Sequence, residues 1–281
     1  MFHPKIADFS ATRHILKTFN LRASKRLGQN FLIDAEVVQK IVEATEISEG
    51  DEVLEIGPGI GTLTQGLLEG GAKVTAVELD KKLPAVLAKT LEGYENFKLV
   101  QGDILKVDLE NLMPQNFKVT ANLPYYITTQ ILLTLLEKKL PITKIVTMVQ
   151  REVAERMTAA PGSKIYGALS VAVQFRSDAR IAFDVPPTAF LPQPEVTSSV
   201  VICDVKEKIK VADENFFIKV VRASFGQRRK TLLNSLTGAG FPREIILKSL
   251  DAAEILPSRR AETLSLEEFA KLSEKILQSL N

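Results

Sequence analysis

The hydrophobic pattern of residues 51–150 alternates between short apolar runs and longer stretches with helical spacing. The apolar runs predict buried strands, and the stretches between them predict helices. The predicted strands cover 52–56, 73–78, 97–101, 118–121 and 144–149. One predicted helix follows a glycine-rich turn at 57–61, a second begins near 81, and a third covers 128–138. Repeated strand–helix units of this length are typical of a parallel sheet covered on both faces.

The flanking pattern adds helices before this region and a helical segment after it. One helix begins after the capping residue Asp34 and runs to about Glu46. Helices near 151–160 and at 166–175 precede strands at 181–185 and 199–205. Beyond Lys206 only helical patterns occur, at 215–236, 243–250 and 266–280, with a break expected near Gly226. We therefore predict an α/β domain over 1–206 and a small all-helical domain over 207–281.

The composition excludes several kinds of protein. The 281 residues are 45% hydrophobic and 25% charged, as in folded globular domains. No apolar run reaches about 18 residues, so we expect no membrane span, and the lack of a secretory signal indicates the cytoplasm. One cysteine and two histidines leave no internal disulfide framework. They also indicate chemistry without a histidine base, and we expect no bound metal.

The glycine-rich turn joins the first of these predicted strands to its helix. Gly57 and Gly59 there permit the close approach of a cofactor to the backbone. Glu78 ends the next strand, where a carboxylate can bind both hydroxyls of a ribose. NAD enzymes and S-adenosylmethionine (SAM) enzymes share this arrangement. Thr62 stands where dinucleotide-binding proteins have a third glycine, and SAM has no pyrophosphate to cradle, so SAM is favoured.

The segment Asn122-Leu123-Pro124-Tyr125 follows the fourth strand of this region, at the edge where such sheets bind ligands. It suits methylation of a ring-conjugated amine such as that of adenine, whose lone pair is delocalised. The Asn122 oxygen and the Leu123 carbonyl can accept both amine hydrogens and favour a pyramidal nitrogen. Pro124 stiffens that carbonyl, and Tyr125 can stack on the base. The alternative is a strand-end turn with a buried tyrosine.

Two further residues each have two interpretations. Asp103 follows the third strand, where its carboxylate either binds the exocyclic amine of a cofactor adenine or caps a turn. Phe190 begins a proline-rich loop at 190–196. Its ring either stacks on the second face of a flipped base or packs beneath the loop.

These motifs, in this order along nearly the whole chain, resemble the ribosomal RNA adenine N6,N6-dimethyltransferases of the small-subunit type. The matching segments are 27–32, 57–61, 77–80, 122–125, 150–156, 166–170, 190–196 and 224–230. The resemblance implies a Rossmann-like sheet of the class I SAM-dependent methyltransferases. Together with the glycine turn, it places Asn30, Leu32, Gly57, Gly59, Glu78, Asp103 and Asn122 in the SAM site. It also implies that residues 122–125 hold the target amine and that Phe190 occupies the second stacking position.

The implied reaction adds two methyl groups from SAM to the N6 amine of each of two adjacent adenosines. These adenosines lie in the 3′-terminal hairpin region of 16S small-subunit ribosomal RNA, and the acceptor is this RNA or a pre-30S particle during subunit biogenesis. A large-subunit RNA dimethyltransferase is the alternative of the same class, but residues 166–170 and 228–230 favour the small-subunit type. A non-catalytic RNA-binding assembly factor and an NAD dehydrogenase are the alternatives from other classes. We expect a monomer.

Positive charge is concentrated in two segments, although the formal net charge is only +2. A basic arm of about thirty N-terminal residues is either a solvated extension or a phosphate-binding one. Residues 215–230 contain no acid, and helical spacing places Lys219, Arg222, Arg229 and Lys230 on one face. Since the chain resembles an RNA-modifying enzyme, both segments are expected to bind RNA phosphates. The candidate RNA-binding residues are Arg22, Lys25, Arg26, Arg222, Arg228, Arg229 and Lys230.

Overall fold

The structure is a computed structural model that describes residues 5–138, 140–206, 209–227 and 229–280, without the side chain of Lys25. Its contacts divide the chain into two compact units. The first unit comprises Met1–Ala154 and Ala179–Val205, and the second comprises Glu155–Asp178 and Lys206–Asn281. Among the described residues, no helix combines the length and the apolar character needed to cross a membrane.

The first unit is built on a seven-stranded sheet in the order β4-β3-β2-β5-β6-β9-β7. The strands of the chain are β1 (Phe31–Leu32), β2 (Glu52–Ile56), β3 (Lys73–Glu78), β4 (Phe97–Gln101), β5 (Phe117–Asn122), β6 (Ile142–Gln150), β7 (Ser177–Val185), β8 (Phe190–Leu191) and β9 (Ser198–Val205). Strands β2 to β6 pair in parallel, as predicted. The prediction of a parallel sheet is therefore confirmed for β2 to β6, and the later strand β9 pairs antiparallel with β6.

The helices alternate with the strands in the first unit and follow one another in the second. They are α1 (Phe9–Thr18), α2 (Ala35–Thr45), α3 (Thr62–Glu69), α4 (Pro84–Thr90), α5 (Leu109–Leu112), α6 (Thr128–Glu137), α7 (Arg151–Thr158), α8 (Ala168–Arg176), α9 (Glu214–Ser224), α10 (Leu232–Gly238), α11 (Arg243–Ala252) and α12 (Leu266–Leu280). Asp34 caps α2 as predicted, because its Oδ1 accepts from the N–H groups of Glu36 and Val37 at 3.0 and 3.1 Å. Helices α2 and α3 pack on each other and against the sheet.

The described part of the basic arm packs against the rest of the first unit through apolar residues, while its basic side chains Arg13, Lys17, Arg22 and Arg26 are exposed. Helix α1 begins at the capping residue Asp8, whose Oδ1 accepts from Ala11 N–H at 2.9 Å. Just before it, the buried backbone N–H of Ile6 donates to Gln65 Oε1 at 2.9 Å. Ile6 belongs to the same buried cluster as α2 and α3. The burial of Ile6 was not predicted, because the arm was interpreted from its excess of positive charge and not from its apolar positions.

The second unit has its own apolar core, and it includes residues that the sequence analysis assigned to the first domain. The rings of Phe175 and Phe217 lie 4.5 Å apart between centroids, and Arg176 forms an ion pair with Glu214. These contacts join 155–178 to the helices after Lys206. The contacts therefore place 155–178 in the second unit, whereas the predicted boundary at 206 places it in the first domain.

The predicted helix over 215–236 is two helices, α9 and α10, and the expected break near Gly226 is confirmed. Helix α9 ends at Ser224, and Thr231 caps the start of α10. The capping box of α12 is also confirmed. Ser265 N–H donates to Glu268 Oε2 at 2.8 Å, and Glu268 N–H donates to Ser265 Oγ at 3.2 Å.

Candidate active site

A cleft in the first unit lies at the carboxyl ends of β2, β3 and β5, where open α/β sheets bind ligands. Its empty volume is about 1080 Å³, including the part open to solvent. The residues predicted for a cofactor all line it, and so does the predicted amine-binding segment. They are Asn30, Leu32, Gly57, Gly59, Glu78, Asp103 and Asn122, with Leu123, Pro124 and Tyr125.

The glycine turn after β2 adopts the left-handed backbone that favours glycine. Gly57 has a φ of +70° and Gly59 a φ of +61°. A Cβ added at Gly57 would meet no atom within 4 Å. Since Gly57 lines the cleft, a side chain there would fill space that a ligand can use. The turn is therefore shaped to leave room above its backbone.

Glu78 ends β3 with its carboxylate held by two backbone donors. Gly59 N–H donates to Glu78 Oε2 at 3.3 Å, and Asp80 N–H donates to Glu78 Oε1 at 2.7 Å. Burial raises the pKa of Glu78, while these two N–H groups act in the opposite direction. A carboxylate has about four acceptor positions, so Glu78 keeps capacity to bind ligand hydroxyls.

Glu55, one residue before the end of β2, is a cleft residue that the sequence analysis treated only as part of a strand. Its side chain is buried, and burial raises its pKa to about 8, with the nearby charge of Glu78 adding to the effect. Glu55 Oε2 has no hydrogen-bond partner among the described residues. The signal that could have identified it is a charged residue inside an otherwise apolar strand.

Asn122 is oriented by a contact with the N-terminal wall of the cleft. Its Nδ2 donates to the backbone carbonyl of Asn30 at 3.1 Å. A carbonyl only accepts, so the amide must turn its NH₂ group toward Asn30 and leave Oδ1 for a ligand donor. The following residue, Leu123, is fixed by its own N–H, which donates to the Met148 carbonyl at 3.2 Å.

Tyr125 is held at its hydroxyl, 2.8 Å from Ser198 Oγ at the start of β9. Burial raises the pKa of Tyr125, so the phenol stays neutral and able to hydrogen bond. The ring lines the cleft with its far end fixed. Ser198 is fully buried and was not predicted, since nothing in the local sequence relates it to residue 125.

Of the two residues with alternative interpretations, Asp103 lies in the cleft and Phe190 does not. Asp103 Oδ1 accepts from Leu105 N–H at 3.1 Å, so this residue caps a turn and also lines the cleft. Phe190 is 1% exposed and belongs to the buried apolar cluster. Its backbone pairs with Leu32 in the small β1–β8 sheet. The structure therefore corresponds to the packed interpretation and does not bring the Phe190 ring to a stacking position.

The candidate RNA-binding residues lie in both units. Arg22 and Arg26 are exposed in the first unit, and Arg222, Arg229 and Lys230 are exposed in the second. Arg228 and the side chain of Lys25 lie outside the described part of the chain. The prediction that Arg229 and Lys230 continue the helical face of Arg222 is wrong, because α9 ends at Ser224. They stand instead in the connection before α10.

Comparisons with known proteins identify the family of this chain. A family model described as ribosomal RNA adenine dimethylase matches residues 20–278. A protein of Clostridioides difficile (strain 630) named ribosomal RNA small subunit methyltransferase A is 48% identical over 277 residues, 96% of either chain. A protein of the same name from Alkaliphilus metalliredigens (strain QYMF) is 46% identical, covering 97% of this chain and 98% of the relative.

Two solved structures share the architecture. A dimethyladenosine transferase from Plasmodium falciparum is 29% identical, with a TM-score of 0.74 and coverage of 86% of this chain and 95% of the other. The 23S rRNA methyltransferase ErmE is 26% identical, with a TM-score of 0.68 and coverage of 89% and 100%. The family match spans most of the chain and includes every residue that lines the cleft. The chain belongs to the ribosomal RNA adenine dimethylase family.

Proposed function

We propose that this methyltransferase transfers methyl groups from SAM to two adjacent adenosines of small-subunit ribosomal RNA. Each N6 amine in the 3′-terminal hairpin region would receive two methyl groups, in the free RNA or in a pre-30S particle. The observation that carries the proposal is that Glu78 and the 122–125 segment line one cleft. The protein would act as a monomer in the cytoplasm, during assembly of the subunit.

The residues present fit SAM. The open space above Gly57 admits a ligand against the backbone, and Glu78 has acceptor positions for the two ribose hydroxyls. Asp103 keeps its second carboxylate oxygen for the adenine amine, since Oδ1 caps the turn. Asn30 and Leu32 also line the cleft. When bound, SAM supplies an electrophilic methyl group on a sulfonium.

The chain's own part in the reaction is to orient the target amine. Asn122 Oδ1 and the Leu123 carbonyl accept its two hydrogens and favour a pyramidal nitrogen with an available lone pair. Tyr125, fixed through Ser198, supports the base by stacking. Preorganised acceptors of this kind need no reorganisation during the reaction, and they act without a side-chain base.

The small-subunit substrate is supported by the relatives named for that subunit, which are 46% and 48% identical, against 26% for ErmE. The test incubates the protein with labelled SAM and, separately, small-subunit particles, naked small-subunit RNA and large-subunit RNA. Labelled dimethyladenosine in small-subunit RNA is expected. Label confined to large-subunit RNA would contradict the assignment, and binding of RNA without any methyl transfer would favour an assembly factor.

The mechanism is tested with Asn122→Ala. Loss of one preorganised group is expected to reduce methyl transfer by about 100-fold or more, while SAM binding is largely retained. Asn111→Ala is the matched control, because Asn111 hydrogen-bonds Asp108 on the exposed surface of α5 and does not line the cleft. Normal turnover by the Asn122→Ala protein would exclude this role for the amide.

A further inference from the structure

The segment 24–29, called here the wall segment, belongs to the basic arm and reaches the cleft at its C-terminal half. Residues 27–30 line the cleft, and Arg26 on this segment is exposed. Gly28, with a φ of +60°, lies directly against the amine-binding segment. A Cβ added at Gly28 would meet Pro124 Cβ at 3.4 Å and Tyr126 Cδ1 at 3.5 Å. A movement of the wall segment would therefore reach Pro124, which belongs to the segment proposed to hold the target amine.

The side chain of Gln29 bridges this wall to the end of β3. Its Oε1 accepts from Ser24 N–H at 2.8 Å, and its Nε2 donates to Asp80 Oδ2 at 2.9 Å. Its backbone N–H also donates to the Ser24 carbonyl at 3.2 Å. The side chain is half-buried, so these hydrogen bonds are partly shielded from water. One amide therefore ties both ends of the wall segment to Asp80.

Asp80 extends this bridge to the proposed ribose site. Its backbone N–H donates to Glu78 Oε1 at 2.7 Å, and its Oδ1 accepts from Lys82 N–H at 3.0 Å. A continuous chain of hydrogen bonds thus runs from Ser24 through Gln29 and Asp80 to the Glu78 carboxylate. It connects the segment that bears Arg26 to the group that would bind SAM.

We propose that Gln29 is a positioning residue that couples cofactor binding at Glu78 to RNA binding by the arm. The inference rests on the proposed function. A ligand on Glu78 fixes that carboxylate and, through Asp80 and Gln29, the wall segment. RNA phosphates on Arg26 fix the same segment from its exposed side, and those on Arg22 hold the chain just before it. Coupling between two sites is reciprocal, so each ligand strengthens binding of the other by the same factor.

The experiment measures this coupling factor by binding, without turnover. The dissociation constant of a small-subunit ribosomal RNA transcript is determined with and without saturating S-adenosylhomocysteine, and that of S-adenosylhomocysteine with and without the RNA. The wild-type factor is expected to be about fivefold in both directions. Gln29→Ala is expected to reduce it to near one. Gln39→Ala, which removes an exposed 2.9 Å hydrogen bond to Glu43 on α2, should leave it unchanged.

Two further variants separate positioning from a loss of folding. Gln29→Glu keeps an acceptor for Ser24 N–H but replaces the donor to Asp80 by a second carboxylate, so coupling should also be lost. The double variant Gln29→Ala/Asp80→Ala should have the same coupling factor as either single variant, because the two residues act in series. Melting temperatures of all variants identify any that do not fold.

A Gln29→Ala or Gln29→Glu protein with the wild-type coupling factor would overturn the inference, as would a wild-type factor of one. The same wild-type preparation is assayed for methyl transfer to the RNA. Absence of transfer contradicts the proposed function, whereas normal transfer with unchanged coupling in the variants contradicts only the role of Gln29.

Discussion

Glu55 shows how a single residue's environment produces a measurable pH dependence. Burial holds its pKa near 8 in the folded state, whereas the unfolded chain has the ordinary value of 4.5. Between these values the native protein retains a proton that the unfolded chain releases. Stability associated with Glu55 is therefore complete below pH 4.5 and is lost progressively as the pH rises to about 8.

Glu55→Gln, which resembles the protonated acid, should remove this dependence. Without cofactor, the free energy of unfolding of the wild type is expected to decrease relative to the variant by up to about 1.4 kcal/mol per pH unit in this window. Above pH 8 the difference should become constant. Urea denaturation from pH 5 to 9 measures it, with the exposed Glu49→Gln as control. Parallel curves for wild type and Glu55→Gln would show that Glu55 does not hold a proton in the folded state.

At the scale of elements, the long periodic segments were predictable and the short ones were not. Strands β2 to β6 follow from their apolar runs, and α2 from its periodicity and Asp34 cap. Strands β1 and β8 have two residues each, too few for any period, so their pairing and the burial of Phe190 depend on tertiary packing. The cleft residues Glu78 and Asn122 were predictable because parallel strands end at one edge, whereas Glu55 inside β2 was not identified. The Tyr125–Ser198 contact was not, since 73 positions separate the two residues.

The packing of α3 on α2 depends on a glycine inside a helix. A Cβ added at Gly66 would lie 2.6 Å from Val38 Cγ1, and Val38 is 6% exposed. A β-branched side chain is stiff, so it cannot move aside at low cost. Gly66→Ala should therefore destabilise the protein by about 1–2 kcal/mol, although alanine favours a helix by about 1 kcal/mol.

Combination with Val38→Ala tests this origin. If the two effects were independent, the stability lost in the double variant would equal the sum of the two single losses. The loss in Gly66→Ala/Val38→Ala should instead be smaller than this sum by at least about 0.5 kcal/mol. Denaturant midpoints of the four proteins complete the cycle. Strictly additive effects would mean that the clash with Val38 is not what limits this position.

For the whole molecule, the sequence predicted two domains divided at 206, whereas the contacts group 155–178 with the helices after Lys206. Helix α8 carries an ordinary apolar pattern that does not reveal which core it joins. Its Phe175 packs on Phe217, and Tyr166 before it packs on Phe225, with ring centroids 6.0 Å apart. These partners are about 40 to 60 positions away in sequence, beyond the range of any local period. The cleft residues all belong to the first unit, so cofactor binding and the basic residues of the second unit are separable by mutation.

Substitution of Arg229 and Lys230, in the second unit, tests RNA binding separately from cofactor binding. Both are exposed, and neither lines the cleft. If they bind RNA phosphates, Arg229→Ala/Lys230→Ala should weaken binding of small-subunit RNA and lower the slope of log affinity against log salt by about 1 to 2, leaving SAM affinity unchanged. The control, Arg243→Ala/Lys248→Ala, removes the same charge from the exposed face of α11. Equal losses in both variants would mean that net charge, rather than a defined phosphate contact before α10, determines the affinity.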